Sequence, residues 1–215
     1  MKMSSILKKA LMAFTGLALI GFLVTHLAGN FQLFAGAEKF NNYAKFLEEN
    51  PLVIVPAELI LLGVFLLHIY LAITLTLENK AARPIVYDTK RTSGESNFAS
   101  RTMMWTGFAI LIFVAVHVYG FKYGVRPEIS PATPQGSLWN LAVNEFRKPQ
   151  IAGFYVFSML AMGFHLSHGV ASSLQSLGLR DASGRPRLGG LGAIIGWGLA
   201  LGFASLPIWV FFFNK

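Results

Sequence analysis

The stretch LVIVPAELILLGVFLLHIYLAITLTL, residues 52–77, carries one carboxylate, Glu58, and one imidazole, His68, among 26 residues that are otherwise uncharged and almost wholly apolar. A helix rises about 1.5 Å per residue and a bilayer core takes about 20 apolar residues to cross, so a run of this length reads as a membrane span. Four other runs read the same way, which places spans at about 6–28, 52–77, 102–121, 151–177 and 191–213. The composition agrees: 215 residues, 54% apolar and only 13% charged, with a mean hydropathy of +0.54, are too apolar for a soluble domain. They are also too few for five spans and a separate catalytic unit. The expected fold is all-α, an integral membrane bundle of five transmembrane helices forming a single transmembrane domain over residues 1–215.

The first run resembles a signal peptide, because Lys8 and Lys9 precede a continuous apolar stretch. It has no convincing small-residue cleavage site, however, and it carries His26 near its far end, so it reads as a retained span. The intervening segments, Gly29 to Pro51, Glu78 to Arg101, Lys122 to Pro149 and Gly178 to Gly190, are polar and broken by Pro and Gly, and read as loops. In the fifth span, Gly192-x-x-x-Gly196 and Gly198-x-x-x-Gly202 predict close helix packing and say nothing about chemistry.

Lys and Arg divide eleven to seven between the two sides, with Lys2, Lys8, Lys9, Lys80, Arg83, Lys90, Arg91, Arg101, Arg180, Arg185 and Arg187 on the side of the N-terminus. That bias predicts an N-terminus in the cytoplasm. It also accounts for the net charge of +8, which in a soluble chain would point to nucleic acid. No nucleic-acid partner is expected. The absence of cysteine excludes disulfides, thiolate-bound iron–sulfur clusters, Cys-based zinc sites and thioether-linked c-type haem.

All five histidines, His26, His68, His117, His165 and His168, fall inside predicted spans. An ionisable side chain at membrane depth is costly and marks function by default. His26 lies about 30 Å from the inner end of its span and His117 about four residues from the outer end of the third, so these two share the outer half. His68 lies about 15 Å from the inner end of its span, and His165 and His168 roughly 14 to 18 Å from theirs. Two levels of histidine result, separated by on the order of 10 to 15 Å, each drawing on two different helices. Bis-His ligation of haem uses one imidazole from each of two facing helices and suits electron transfer. Zinc and di-iron sites need three or four ligands at one level, usually with carboxylates, and the one carboxylate well inside a span is Glu58. Without cysteine the haems are expected to be b-type, held by four of the five spans. Gly16, Gly21, Gly63, Gly107 and Gly163 are small enough for a flat macrocycle to approach the helix backbones, and equally suited to helix packing.

The run His26-Leu-Ala-Gly-Asn-Phe-Gln-Leu-Phe, then Asn41-Asn-Tyr-Ala-Lys-Phe-Leu, His68, His117 and finally Phe164-His-Leu-Ser-His-Gly-Val-Ala-Ser-Ser-Leu-Gln-Ser-Leu-Gly178 resembles the cytochrome b membrane subunit of succinate:quinone oxidoreductases and fumarate reductases. The likeness is to the single-chain, five-helix variant with two haems, and it covers nearly the whole chain. It implies that His26 and His117 hold the outer haem iron and His68 and His165 the inner one. His168 is then the bystander, although depth alone leaves His168 open as the ligand.

The resemblance implies electron transfer between an iron–sulfur subunit and a membrane quinone, with a flavoprotein subunit handling succinate or fumarate. Both soluble partners would sit on the cytoplasmic face of a bacterial-type inner membrane, and two haems in one chain lean toward menaquinone. Glu58, expected to be buried near the outer haem, is the candidate proton-exchanging group of the quinone site, with Glu48 and Glu49 as competitors just outside the membrane. His168, Arg101, Ser172, Ser173 and Gln175 on the inner side and Asn30 and Gln32 on the outer side are candidate propionate or quinone contacts. Two other classes stay open: a haem-b anchor of another quinone-linked dehydrogenase, in which ligands of both haems would crowd onto one or two helices, and a transporter with a histidine-lined path.

Overall fold

The computed structural model describes residues 3–82, 98–124, 137–179 and 187–214. Pro84 and Gly94, and the topology-bearing Lys2, Arg83, Lys90, Arg91, Arg126, Arg180, Arg185 and Lys215, lie outside the described residues, as does the side chain of Arg187.

Within those limits the chain is all-helical: α1 (Ser5–Asn30), α2 (Ala37–Glu48), α3 (Pro51–Ala81), α4 (Phe98–Arg101), α5 (Met103–His117), α6 (Leu138–Phe146), α7 (Pro149–Ser176) and α8 (Arg187–Phe213). Among the described residues five stretches are long and apolar enough to cross a membrane: Ser5–Ala35, Pro51–Ala81, Met103–Lys122, Pro149–Ser176 and Gly190–Phe213. These coincide with the five expected spans, and the chain is a multi-pass membrane protein by this measure.

Local chemistry sets the ends. Ser4 caps α1 by accepting a hydrogen bond from the Leu7 amide at 3.2 Å. A 3₁₀ turn, Phe31–Ala35, extends α1 until Gly36, whose φ of +96° suits a residue without a Cβ. Pro51 and Pro149 sit in the first turns of α3 and α7, where a missing N–H costs nothing. Beyond His117, α5 widens into a π-helical turn, Val118–Lys122. Two of the segments read as loops contain amphipathic helices instead: α2 buries Phe40 and Ala44, and α6 buries Leu141, Ala142, Val143 and Phe146. Asn41 ties the two together, its Oδ1 accepting from Ser137 Oγ at 3.0 Å and the Trp139 amide at 3.1 Å.

Successive spans run in alternating directions. At the end where α1 begins, here called inner, Lys8 of α1 pairs with Glu78 of α3, and the Thr76 hydroxyl meets Met104 Sδ of α5 at 3.2 Å. At the outer end Glu58 of α3 pairs with Lys122, which follows α5, and Arg147 Nε donates to the Asn214 carbonyl at 3.1 Å. α1 packs on α3 and α7, α5 packs on α7, and α7 has its most extensive contact with α8. α3 and α5 are the loosely packed members: no residue in the most apolar window of either is buried.

Glycines make the α7–α8 seam. A Cβ on Gly196 would stand 2.6 Å from the Ser167 amide nitrogen, and one on Gly192 2.4 Å from the Ser167 carbonyl oxygen. Gly163 plays the reverse part, facing the Trp197 ring of α8, and Gly202 faces Leu27 of α1. The seam therefore presses on the turn that carries His165 and His168. Gly196→Ala is expected to lower stability by roughly 1–3 kcal/mol through overpacking. Gly198→Ala, where a Cβ meets nothing within 4 Å, is expected to be neutral. Thermal unfolding of the two variants in detergent checks this, and equal midpoints would contradict the packing account.

Candidate functional site: two levels of histidine

The outer level joins α1 and α5. The His26 and His117 rings lie 5.9 Å apart, centre to centre, at an interplanar angle of 80°. Two imidazoles on opposite sides of one metal, each with its nitrogen about 2 Å from it, have ring centres roughly 6 Å apart. Ligation fixes the nitrogen-to-metal direction and leaves rotation about it free, so crossed ring planes are compatible with that arrangement. His117 is enclosed by Phe113 and Phe121, stacked at 5.5 Å on its own helical stripe, and by Tyr155 of α7. The Tyr155 hydroxyl engages His117 Nδ1 at 3.1 Å, which leaves Nε2 for another partner. Phe22 stacks on His26 at 5.1 Å. Asn30 Nδ2 donates to the His26 carbonyl at 2.8 Å and stands 3.4 Å from His26 Nε2. The shorter contact is the bond this amide holds, since 3.4 Å lies beyond the usual N–H···acceptor range.

The inner level draws on all four helices. His68 of α3 presents Nδ1 to the Thr15 hydroxyl of α1 at 3.1 Å, and a Cβ on Gly16 would touch His68 Cε1 at 3.4 Å. His165 of α7 presents Nδ1 to the Thr106 hydroxyl of α5 at 3.3 Å, and a Cβ on Gly107 would touch His165 Cε1 at 3.3 Å. Each imidazole thus lies against a glycine of the neighbouring helix, with a threonine just before that glycine. His165 is within electrostatic range of both His68 and His168. All five histidines are half-buried.

The remaining candidates separate. Ser173 is buried at the inner level, its hydroxyl beside Gly16. Ser172 and Gln175 are exposed on the last turns of α7, and Arg101 is exposed at the end of α4. Gln32 is half-buried in the turn after α1, and Glu48 and Glu49 are exposed at the end of α2. Glu58 is a correction to the sequence reading: its side chain is 45% exposed and paired with Lys122. Of the five glycines proposed to admit a macrocycle, Gly16 and Gly107 face histidines, Gly163 faces Trp197, and Gly21 and Gly63 face open space.

Three side chains at the site escaped the sequence reading: Thr15, Thr106 and Tyr155. The two threonines had a signal, an aromatic-Thr-Gly triplet in each of two spans, Phe14-Thr15-Gly16 and Trp105-Thr106-Gly107. Another feature without such a signal is the Trp139 indole N–H, buried at the outer end with no hydrogen-bond partner among the described residues.

Haem fits these residues better than a smaller metal site does. The described residues contain no group of three His, Asp or Glu side chains placed to hold one ion, as zinc or di-iron requires. They do contain one close imidazole pair, His26 and His117, and glycines at the ring edges of His68 and His165. No family model, curated protein or solved structure matches this chain.

Proposed function

We propose that this chain is the di-haem cytochrome b anchor of a succinate dehydrogenase or fumarate reductase, passing electrons between an iron–sulfur subunit and a membrane quinone. The observation that carries the reading is the 5.9 Å approach of the His26 and His117 rings on α1 and α5; half a span away, His68 on α3 and His165 on α7 each meet a Thr-Gly pair of a neighbouring helix. In this reading His26 and His117 hold the outer iron, His68 and His165 the inner one. Bound haem supplies one-electron transfer at a site closed to oxygen chemistry.

The chain's own part is to hold and insulate. Phe113, Phe121 and Tyr155 fix the His117 ring, and the α7–α8 seam fixes the turn bearing His165. Reduction of a quinone takes up two protons with two electrons, so its site needs a titratable group that water can reach. Glu58, at the outer end of α3 beside Lys122, is the titratable group of the outer level that the reading assigns to this role. It is assigned to exchange protons with the quinone, with Lys122 holding its carboxylate in place.

The excess of Lys and Arg on the side of the N-terminus supports a cytoplasmic inner face, where a flavoprotein and an iron–sulfur subunit dock. The chain alone is expected to show no succinate dehydrogenase activity with artificial dyes, because no residue set in it can take hydride from a dicarboxylate. Dye-linked activity from the isolated chain would contradict that division of labour. The reading as a whole is tested by a visible spectrum of the purified protein before and after a menaquinol analogue. A b-type Soret and α band that the quinol reduces is expected. A purified chain without haem absorbance sinks the proposal and returns the histidines to a transport path.

A further inference from the structure

The two threonine hydroxyls of the inner level are each already committed as donors. Thr15 Oγ1 lies 2.9 Å from the Leu11 carbonyl and 3.1 Å from that of Met12, one turn back on its own helix. Thr106 Oγ1 lies 3.1 Å from the carbonyls of both Thr102 and Met103. A hydroxyl has a single hydrogen, and at membrane depth it goes to the helix carbonyl that would otherwise compete for it. What the hydroxyl has left for the histidine is a lone pair. The contact at 3.1 Å to His68 Nδ1 and the contact at 3.3 Å to His165 Nδ1 are then N–H···O bonds in which the imidazole donates.

From this we infer that Thr15 and Thr106 are a matched pair of positioning residues that hold His68 and His165 as Nδ1–H tautomers with Nε2 as the ligating atom. The inference rests on the haem reading above and deepens it. A neutral imidazole has one N–H and one lone pair. Fixing the proton on Nδ1 puts the lone pair on Nε2 and sets the rotation of the ring. Gly16 and Gly107 complete the arrangement, since each imidazole edge lies where a Cβ on the next residue would come within 3.4 Å and 3.3 Å of Cε1. The two clamps come from α1 and α5, the helices that do not carry the inner histidines but carry the outer ones. Each of those two helices therefore ligates at the outer level and positions at the inner level.

An acceptor on Nδ1–H makes the imidazole more basic and so favours the ferric state. Thr15→Val and Thr106→Val keep the shape of the side chain and remove the acceptor. Each is expected to lower the ferric preference of the inner haem by up to about tenfold, a rise in its midpoint of up to ~60 mV for one electron. The outer midpoint should stay in place. Thr15→Ser and Thr106→Ser restore the acceptor and are expected to return the inner midpoint to the wild-type value. Redox titration of the purified full-length chain, with electron paramagnetic resonance of each low-spin signal, reads both haems separately. Loss of the inner low-spin signal in a valine variant with recovery in the serine variant also supports the assignment. Valine variants with an unmoved inner midpoint and signal overturn it, as do serine variants no closer to wild type than valine ones. A wild-type chain that binds no haem overturns the haem reading along with it, whereas a haem-bearing wild type with silent threonine variants overturns this inference alone.

Discussion

His117→Ala is expected to halve the haem content of the purified chain and to remove only the outer haem. In the proposed reading the outer iron has His26 on α1 and His117 on α5 as its two protein ligands, and the enclosure of His117 by Phe113, Phe121 and Tyr155 offers no second nitrogen or carboxylate as a substitute. The inner pair lies on α3 and α7, held by Thr15 and Thr106, and none of those contacts passes through His117. A single low-spin signal and a single reductive step should survive. His26→Ala should give the same phenotype, because either ligand is needed for a six-coordinate iron. Tyr155→Phe, which removes only the hydroxyl on His117 Nδ1, should retain both haems and move the outer midpoint alone. Simultaneous loss of both haems from His117→Ala, with the helices intact by circular dichroism, would contradict two independent centres.

The second large effect separates two residues three positions apart. His165→Ala should abolish the inner low-spin haem or leave it high-spin, because His68 would be its one remaining ligand. His168→Ala should keep that haem low-spin with at most a modest change in potential. The distinction has a physical basis: His165 Nδ1 meets Thr106, and the His165 ring edge lies against Gly107. His168 lies nearly one turn closer to the inner end, where the adjacent Gly169 faces the Met103 methyl group. Electron paramagnetic resonance of the two variants decides. Both signals retained in His165→Ala, with one lost in His168→Ala, would exchange the roles of the two residues.

How far the sequence was legible follows from which physical quantity each feature depends on. The five spans depend on summed hydropathy, and residues 52–77 announce α3 without any tertiary information. Their ends depend on helix propensity instead. α3 runs on through Glu78, Asn79 and Lys80 to Ala81, where the apolar run has stopped but the helix has no reason to. α2 and α6 look like loop in the sequence because only one face of each is apolar, and Phe40 and Phe146 find their partners in distant parts of the chain. That Glu58 is half-exposed and not buried is a question of azimuth. In a helix apolar all round, no periodicity marks which side faces the bundle, so depth can be counted from the sequence but direction cannot.

The histidines were legible for the opposite reason. A titratable ring at membrane depth stands out against any apolar background, and counting residues from the span ends put His26 beside His117 without knowledge of direction. The motif around His26 also proves to be structural in part. Gly29 leaves the space that the Tyr43 ring fills, and Asn30 bonds back to the His26 carbonyl. The threonine clamps stayed hidden because a hydroxyl in a span is ordinarily satisfied by its own helix, and only the distance to Nδ1 reveals the second bond.

The central claim is that four histidines on four helices hold two haems in one polypeptide. It is tested most directly by pyridine haemochrome quantitation of the purified chain against protein determined by amino-acid analysis. The account predicts a b-type spectrum with a ratio near two haems per chain. A ratio near one, or none, would contradict it.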